Sequence, residues 1–229
     1  LTVEDPIEFL FKHKKSIVNQ REVGVDTLGW DMALKNAMRQ APDCILIGEI
    51  RDRETMQAAI SYAQTGHLCL GTLHANNSYH ALNRIVNFFP MEARTSLCLD
   101  LGGSLKAIIS QRLLRKTSGG RVAAIEILLS TASSRDAIAK GEVGQLKEIM
   151  KKSVEQGMKT FDQCLFELYE AGDIGLSELQ LNADAKGDLM LRLKLQSARF
   201  TREELGGGAG SQSSGLTFDG EVSKEKKKE

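Results

Sequence analysis

The strongest constraint on the fold is a short apolar run closed on both sides and followed at once by charge: DCILIGEIRD, Asp43 to Asp52. Cys44 to Ile47, between Pro42 and Gly48, has the composition of a strand buried on both faces of a parallel sheet. In an open α/β sheet, ligands bind in the crevice outside the carboxyl ends of the strands. That end carries Gly48, Glu49, Arg51 and Asp52. A second apolar run, Leu68 to Leu73, is bracketed by His67 and His74 within TGHLCLGTLHANNS, Thr65 to Ser78, and predicts a neighbouring buried strand. The two strands are expected to deliver a carboxylate and imidazoles into one cleft.

Leu1 to Glu4 predicts a short strand ended by Asp5-Pro6, because proline cannot donate to a ladder. Glu4, Asp5 and Glu8 then lie at a carboxyl end; a solvated turn is the other reading of the same residues. A basic loop, KHKKSIVNQREVG, follows, with a strand expected at Ser16 to Asn19. Asp26-Thr27 is expected to cap a helix from Trp30 to Gln40, with Ala33, Leu34, Ala37 and Met38 on its core face. Asp52 caps a helix from Arg53 to Gln64 that stops at Gly66. Strand, helix, strand, helix, strand implies a parallel sheet.

Beyond it, His80 to Phe89 predicts a helix closed by Pro90. Glu92 to Arg115 predicts a long helix, with Gly102-Gly103 as a break and Leu97, Leu101, Leu105, Ile108 and Ile109 as its stripe. Ser118-Gly119-Gly120 is a tight turn into a strand from Arg121 to Leu129, in an antiparallel or edge position. Ser133 to Leu181 is helical in period, with Leu146, Ile149 and Met150 on one helix. A second, carrying Phe161, Leu165, Phe166, Leu168 and Tyr169, is capped by Thr160 and stopped at Gly172. The expected division is residues 1–130 for the α/β part, 131–200 for a small helical subdomain and 201–229 for a disordered Gly/Ser and Lys/Glu tail.

Thirty basic residues balance thirty acidic ones, so no global charge draws the chain to nucleic acid or an anionic surface. Cys44, Cys69, Cys98 and Cys164 form no CxxC pair, and three sit in apolar runs, which predicts reduced core thiols in a cytoplasmic protein. No apolar stretch reaches membrane-spanning length. The chain opens on LTVED without an initiator Met, so it is expected to be the carboxyl part of a longer protein.

Phosphoryl transfer needs a phosphate cradle, a carboxylate near the metal and a group that orients water. Glu49, ending an apolar strand, suits the second task through a metal's water shell, and Glu8 or Glu4 suits the third. The cradle, G-x-x-x-x-G-K-[ST], occurs nowhere in this chain. His67 and His74 admit two readings: polar caps on backbone, or groups that meet a γ-phosphate. Arg21, Arg39, Arg51, Arg53 and Arg112 are candidates for phosphate contacts or subunit interfaces; His13 and His80 are assigned nothing.

TVEDPIEF, NQREVGVDT, DCILIGEIRDRET and TGHLCLGTLHANNS resemble, in order, the Asp box, the arginine-containing segment, the atypical Walker B and the His box of the secretion ATPases of type II secretion and type IV pili. Within that superfamily, which includes the GspE-like proteins, the chain is similar to the PilT and PilU retraction ATPases. GEVGQLKEIMKKSVEQGMKTFDQCLFELYEAGDI looks like the carboxyl region of the PilU branch, and Ser133 to Ala139 departs from the PilT AIRNLIRE segment. The tetracysteine zinc module of extension and type II secretion members is missing.

The resemblance implies the carboxyl part of a RecA-like P-loop ATPase core, an α/β fold with a parallel sheet flanked by helices, followed by a small helical subdomain. The upstream cradle would lie just before Leu1, and an N-terminal PAS-like domain before that. It further implies water activation by Glu8, Mg2+-linked chemistry at Glu49 through water, and His67 and His74 near the phosphates of ATP. Arg21 would lie near a neighbour's nucleotide. A homo- or hetero-hexameric ring with retraction ATPase subunits is implied, at the cytoplasmic face of the inner membrane on the pilus platform protein. ATP hydrolysis would drive pilus retraction and twitching motility; the alternative is an accessory subunit that assembles with an active retraction ATPase and transmits force. A nucleic-acid motor is disfavoured by the neutral charge and the lack of a basic patch with interleaved aromatics.

Overall fold

A computed structural model describes residues 1–200; the expected tail of 201–229 lies outside the described residues. In chain order the elements are β1 (Thr2–Glu4), β2 (Gln20–Glu22), α1 (Trp30–Ala37), β3 (Cys44–Ile47), α2 (Arg53–Gln64), β4 (Leu68–Gly71), α3 (Ser78–Asn87), α4 (Arg94–Ser104), β5 (Ala107–Arg115), β6 (Arg121–Leu129), α5 (Ala132–Ala139), α6 (Leu146–Lys152), α7 (Phe161–Glu170), α8 (Leu176–Asn182) and α9 (Lys186–Gln196). The first four strands form a parallel sheet in the order β2-β1-β3-β4, and β5 and β6 form a separate antiparallel pair.

The sheet follows from its residues. Ile45 and Ile47 of β3 and Val3 of β1 are fully buried, in one core with residues of α1, α2 and α4. Asp52 caps α2 by accepting from Thr55 N at 2.9 Å, with the Thr55 hydroxyl returning to Asp52 in a capping box. β4 differs from expectation: Leu68 is 55% exposed and Leu70 48%, so it is an edge strand with one uncovered face rather than a strand buried on both. It has a hydrogen-bonded neighbour only in β3 among the described residues.

Three other expectations need correction. The strand that pairs in parallel with β1 is Gln20–Glu22, not Ser16 to Asn19, because Thr2 N donates to Asn19 O and the register then runs Thr2 to Gln20. Asp26 and Thr27 do not cap α1: Asp26 Oδ2 accepts from Glu22 N at 2.8 Å, and Gly29 is the residue before the helix. The long helix ends at Ser104, where Leu105 turns extended, and Ala107–Arg115 is a strand. Its partner is Arg121–Leu129 across the turn at Gly119 and Gly120, both at positive φ. In this pair Ser110 and Leu114 point inward, whereas Ile109, assigned to a buried helical stripe, is 68% exposed.

Two apolar cores result. One joins the sheet to α1–α6 and is tight where α4 crosses α5: a Cβ on Gly102 would stand 2.9 Å from Arg135 O. The other packs Leu114 and Ala124 of the hairpin against Phe161, Leu165 and Tyr169 of α7, Leu179 of α8, and Leu189 and Leu193 of α9. Residue 130, the expected boundary, falls just after β6; α5 and α6 beyond it belong to the first core, and the hairpin before it supplies strands to the second. Among the described residues no helix is long and apolar enough to cross a membrane. All four cysteines are free.

Candidate functional site

Because β1, β3 and β4 run parallel, their carboxyl ends share one rim. Gly48 N donates to Val3 O at 2.7 Å, and Ile50 N donates to Thr72 O at 2.9 Å, so the residues after all three strands meet there. Gly48 makes this approach possible. A Cβ at that position would lie 3.1 Å from both Glu4 Cα and Val3 O, tighter than a side chain is normally accommodated.

Glu49 is the centre of the rim. Its Oε2 accepts from Arg51 Nε at 2.6 Å, and its Oε1 lies 3.1 Å from His74 Nε2. Arg51 extends the cluster to Asp5, with Nη1 3.5 Å from Oδ2. The Glu49 side chain is 17% exposed and that of His74 78%, so a sheltered carboxylate holds an imidazole that faces solvent. The Arg51 pKa is raised, first by its hydrogen bond to Glu49 and then by the charge of that carboxylate.

Glu8 lies three residues beyond Asp5, within about 11 Å of chain, in a loop pinned on either side of it. Glu22 Oε2 accepts from Ile7 N at 3.1 Å, and Gln20 Nε2 donates to Phe9 O at 3.0 Å. The Glu8 side chain is exposed and makes no hydrogen bond or ion pair among the described residues. Glu4 is different: it is buried, and its Oε1 accepts from Thr2 Oγ1 at 2.6 Å and from Gln20 Nε2 at 3.0 Å, which stitches β1 to β2. Of the two carboxylates considered for water, Glu8 alone has a free side chain.

His67 does not join this cluster. Leu68 N donates to Asp43 O, so His67 stands level with the amino end of β3, at the opposite edge of the sheet from Glu49. The four residues of β4 between His67 and His74, at about 3.3 Å each, account for roughly 13 Å of strand. His67 Nδ1 lies 3.0 Å from Thr65 Oγ1 and 3.3 Å from Tyr62 O, the backbone-capping arrangement. Arg21 sits on β2 level with Val3 and has no side-chain partner among the described residues. Arg51 and Asp5 complete the rim; the sequence places Arg51 with Glu49 at the carboxyl end of the β3 run and Asp5 in the acidic cluster after β1, but shows no contact between them. The signal for Arg51 was its position two residues beyond Glu49.

The description "Type II/IV secretion system protein" matches residues 1–171. The chain belongs to that family. It is 52% identical over 198 residues to the type IV pilus ATPase PilU of Pseudomonas aeruginosa PAO1, a match covering 86% of this chain and 52% of that protein. It is 45% identical over 172 residues to the retraction ATPase PilT of the same organism, covering 75% of this chain and 50% of PilT. The chain therefore spans about half the length of the curated relatives it matches. The crystal structure of the pilus retraction motor PilT with bound ADP superposes with a TM-score of 0.76 at 43% identity, over 83% of this chain and 54% of PilT. The ATPase DotB of Legionella pneumophila gives 0.70 at 29% identity, over 79% of this chain and 50% of DotB. The family read from the four motifs, and the α/β fold with a parallel sheet flanked by helices, are those found.

Proposed function

We propose that the full-length protein hydrolyses ATP and drives type IV pilus retraction, and with it twitching motility, as a subunit of a hexameric ring. The observation that carries this reading is the contact of Glu49 with His74 at the carboxyl rim, with the unpaired Glu8 three residues beyond Asp5 of the same cluster. Glu49 is the protein's contribution to a magnesium site. Among the described residues no group of three or more His, Cys, Asp or Glu side chains is arranged to hold a metal. Glu49 would hold the ion through water, which fits the few carboxylates that Mg2+ takes from a protein. When bound, the ion neutralises charge on the phosphates.

Glu8 accepts a hydrogen bond from the attacking water and takes its proton as the water oxygen joins the γ-phosphorus and the bond to the bridging oxygen breaks. The His74 ring, exposed and paired with Glu49, exchanges that partner for the γ-phosphate and so senses its presence. Arg51 fixes the orientation of Glu49 and keeps its charge balanced. Arg21 faces a neighbouring subunit's nucleotide. The difference in affinity for ATP and ADP between two subunit arrangements supplies the work. The ring, a homo-hexamer or a mixed one, acts peripherally at the cytoplasmic face of the inner membrane on the pilus platform protein.

Glu49→Gln and Glu8→Gln in the full-length protein are expected to abolish turnover, by at least about 100-fold, while nucleotide binding persists. Wild-type turnover in either variant refutes that residue's role. The departure of Ser133 to Ala139 from the PilT pattern favours a second reading, an accessory subunit that assembles with an active retraction ATPase and transmits force. Hydrolysis by the purified full-length protein alone, and retraction when it is the sole such ATPase, separate the two.

A further inference from the structure

We propose that Arg112 and Glu126 are positioning residues that clamp the His74–Ser78 segment and tie it to the carboxyl-terminal helices, so that the docking of α7 and α8 sets the pose of His74. The inference rests on the reading of Glu49 and His74 as the hydrolytic pair.

The two side chains share one face of the β5–β6 hairpin, since Ser110 pairs with Glu126 and Arg112 with Ala124, a diagonal neighbour. Arg112 spends its planar fork on both sides of a boundary. Toward the rim, Nε and Nη2 donate to Asn76 O at 3.4 and 3.3 Å. Toward the helices, Nη1 donates to Asn182 O at 2.8 Å, Nη2 pairs with Asp184 Oδ1 at 2.8 Å, and the guanidinium carbon stands 3.9 Å from the centre of the Phe161 ring. Phe161 is fully buried at the start of α7. A lysine could not reproduce this, because it has neither the fixed geometry nor the stacking plane.

Glu126 grips the far end of the same segment. It is 6% exposed, and its Oε1 accepts from Ser78 N at 2.7 Å and Ser78 Oγ at 2.8 Å. A buried carboxylate at the first turn of α3 also meets the positive end of that helix. The five residues from His74 to Ser78 are thus held at four points: the His74 ring by Glu49, the His74 carbonyl by Arg84 Nη1 at 3.3 Å, Asn76 by Arg112 and Ser78 by Glu126. Asn76 is two residues from His74. A displacement of α7 and α8 reaches it through a rigid fork in close contact at both ends, and the Coulombic and stacking partners all lie on the helical side.

The test is a cycle in the full-length protein with Arg112→Gln, His74→Gln and both together, read by steady-state kinetics and by hydrogen exchange over residues 74–80. Arg112→Gln should lower kcat about tenfold, the size of an ordinary coupling between two sites, at unchanged nucleotide KM. It should speed exchange in that segment by a similar factor. In the His74→Gln background it should cost kcat nothing further, because its effect passes through His74. An equal loss with and without His74, or unchanged exchange, overturns the proposal. Asp184→Asn removes only the helical-side ion pair; it should move both readouts the same way, and it decides the matter if Arg112→Gln does not fold. If wild-type protein fails to turn over, or His74→Gln matches it, the hydrolytic reading fails while the exchange result still judges the clamp.

Discussion

β4 carries a histidine just outside each end, and the two do opposite things. His74, past the carboxyl end, reaches across to Glu49 on the neighbouring strand and stays 78% exposed. His67, before the amino end, turns back on its own chain to Thr65 and Tyr62. Residue type, strand and sequence context are shared; what differs is strand direction. In a parallel sheet every strand emerges on the same rim, so residues that follow the strands meet one another, and residues that precede them meet the ends of the crossover helices. The comparison teaches that a pair of histidines flanking a parallel strand is one candidate site residue and one cap.

Removing each imidazole in turn from the full-length protein separates the two roles. His74→Ala should lower turnover by about 100-fold, the lower end of what one positioned charge-stabilising or proton-transferring group contributes. His67→Ala should leave turnover within roughly twofold, the scale of a substitution that touches no reacting group. A loss at His67 as large as that at His74 would show that the amino edge of the sheet meets a nucleotide of its own, which in a ring could come only from a neighbouring subunit.

A smaller effect is expected from the backbone that lets the rim close. Gly48→Ala adds a carbon 3.1 Å from Glu4 Cα and Val3 O, backbone atoms that cannot yield as a flexible side chain would. Overpacking of this kind costs about 2 kcal/mol, and a melting temperature lowered by about 4–8 °C would register it in a chain of this size. Turnover should fall as well, because β1 and β3 are pushed apart between Asp5 and Glu49. Unchanged stability would show that the strands have room, and that the absence of a side chain at Gly48 does not explain how closely the acidic cluster gathers.

What was legible follows from what is local. β3, the Asp52 cap on α2 and the Thr160 cap on α7 are written in adjacent residues, and the sheet's direction follows from alternation of strands with helices. β5 was hidden because Leu97, Leu101, Leu105 and Ile108 keep a helical spacing through the point where the chain turns extended. The missing information is a partner strand, and it was present: a tight turn at Gly119 and Gly120 into an antiparallel strand requires another strand just before it. Glu49 was read from its place after an apolar run. The sequence names Arg112 only among five candidate arginines and does not single out Glu126, since their partners Asn76, Asn182, Asp184 and Ser78 lie 36 to 72 residues away. Nonlocal polar contacts leave no period to detect.

The reactivity of Cys69, which leaves turnover untouched, tests whether β4 is rigid enough to keep its two histidines apart. Cys69 lies mid-strand, paired in register with Ile45, and burial, with a lesser contribution from the nearby Cys44, pushes its thiol up to about 11 from an ordinary 9.0. The raised value means that the folded state favours the neutral thiol. Its contribution to stability is therefore whole below pH 9 and is lost as pH rises through 11. Thiolate absorbance followed by Cys69→Ser difference titration should find this high midpoint, and alkylation of Cys69 at pH 8 should be slower than that of an unburied cysteine by about the 100-fold that two pKa steps imply. An ordinary titration would mean that the strand opens to solvent between its ends, and then the register separating His67 from His74 would hold only part of the time.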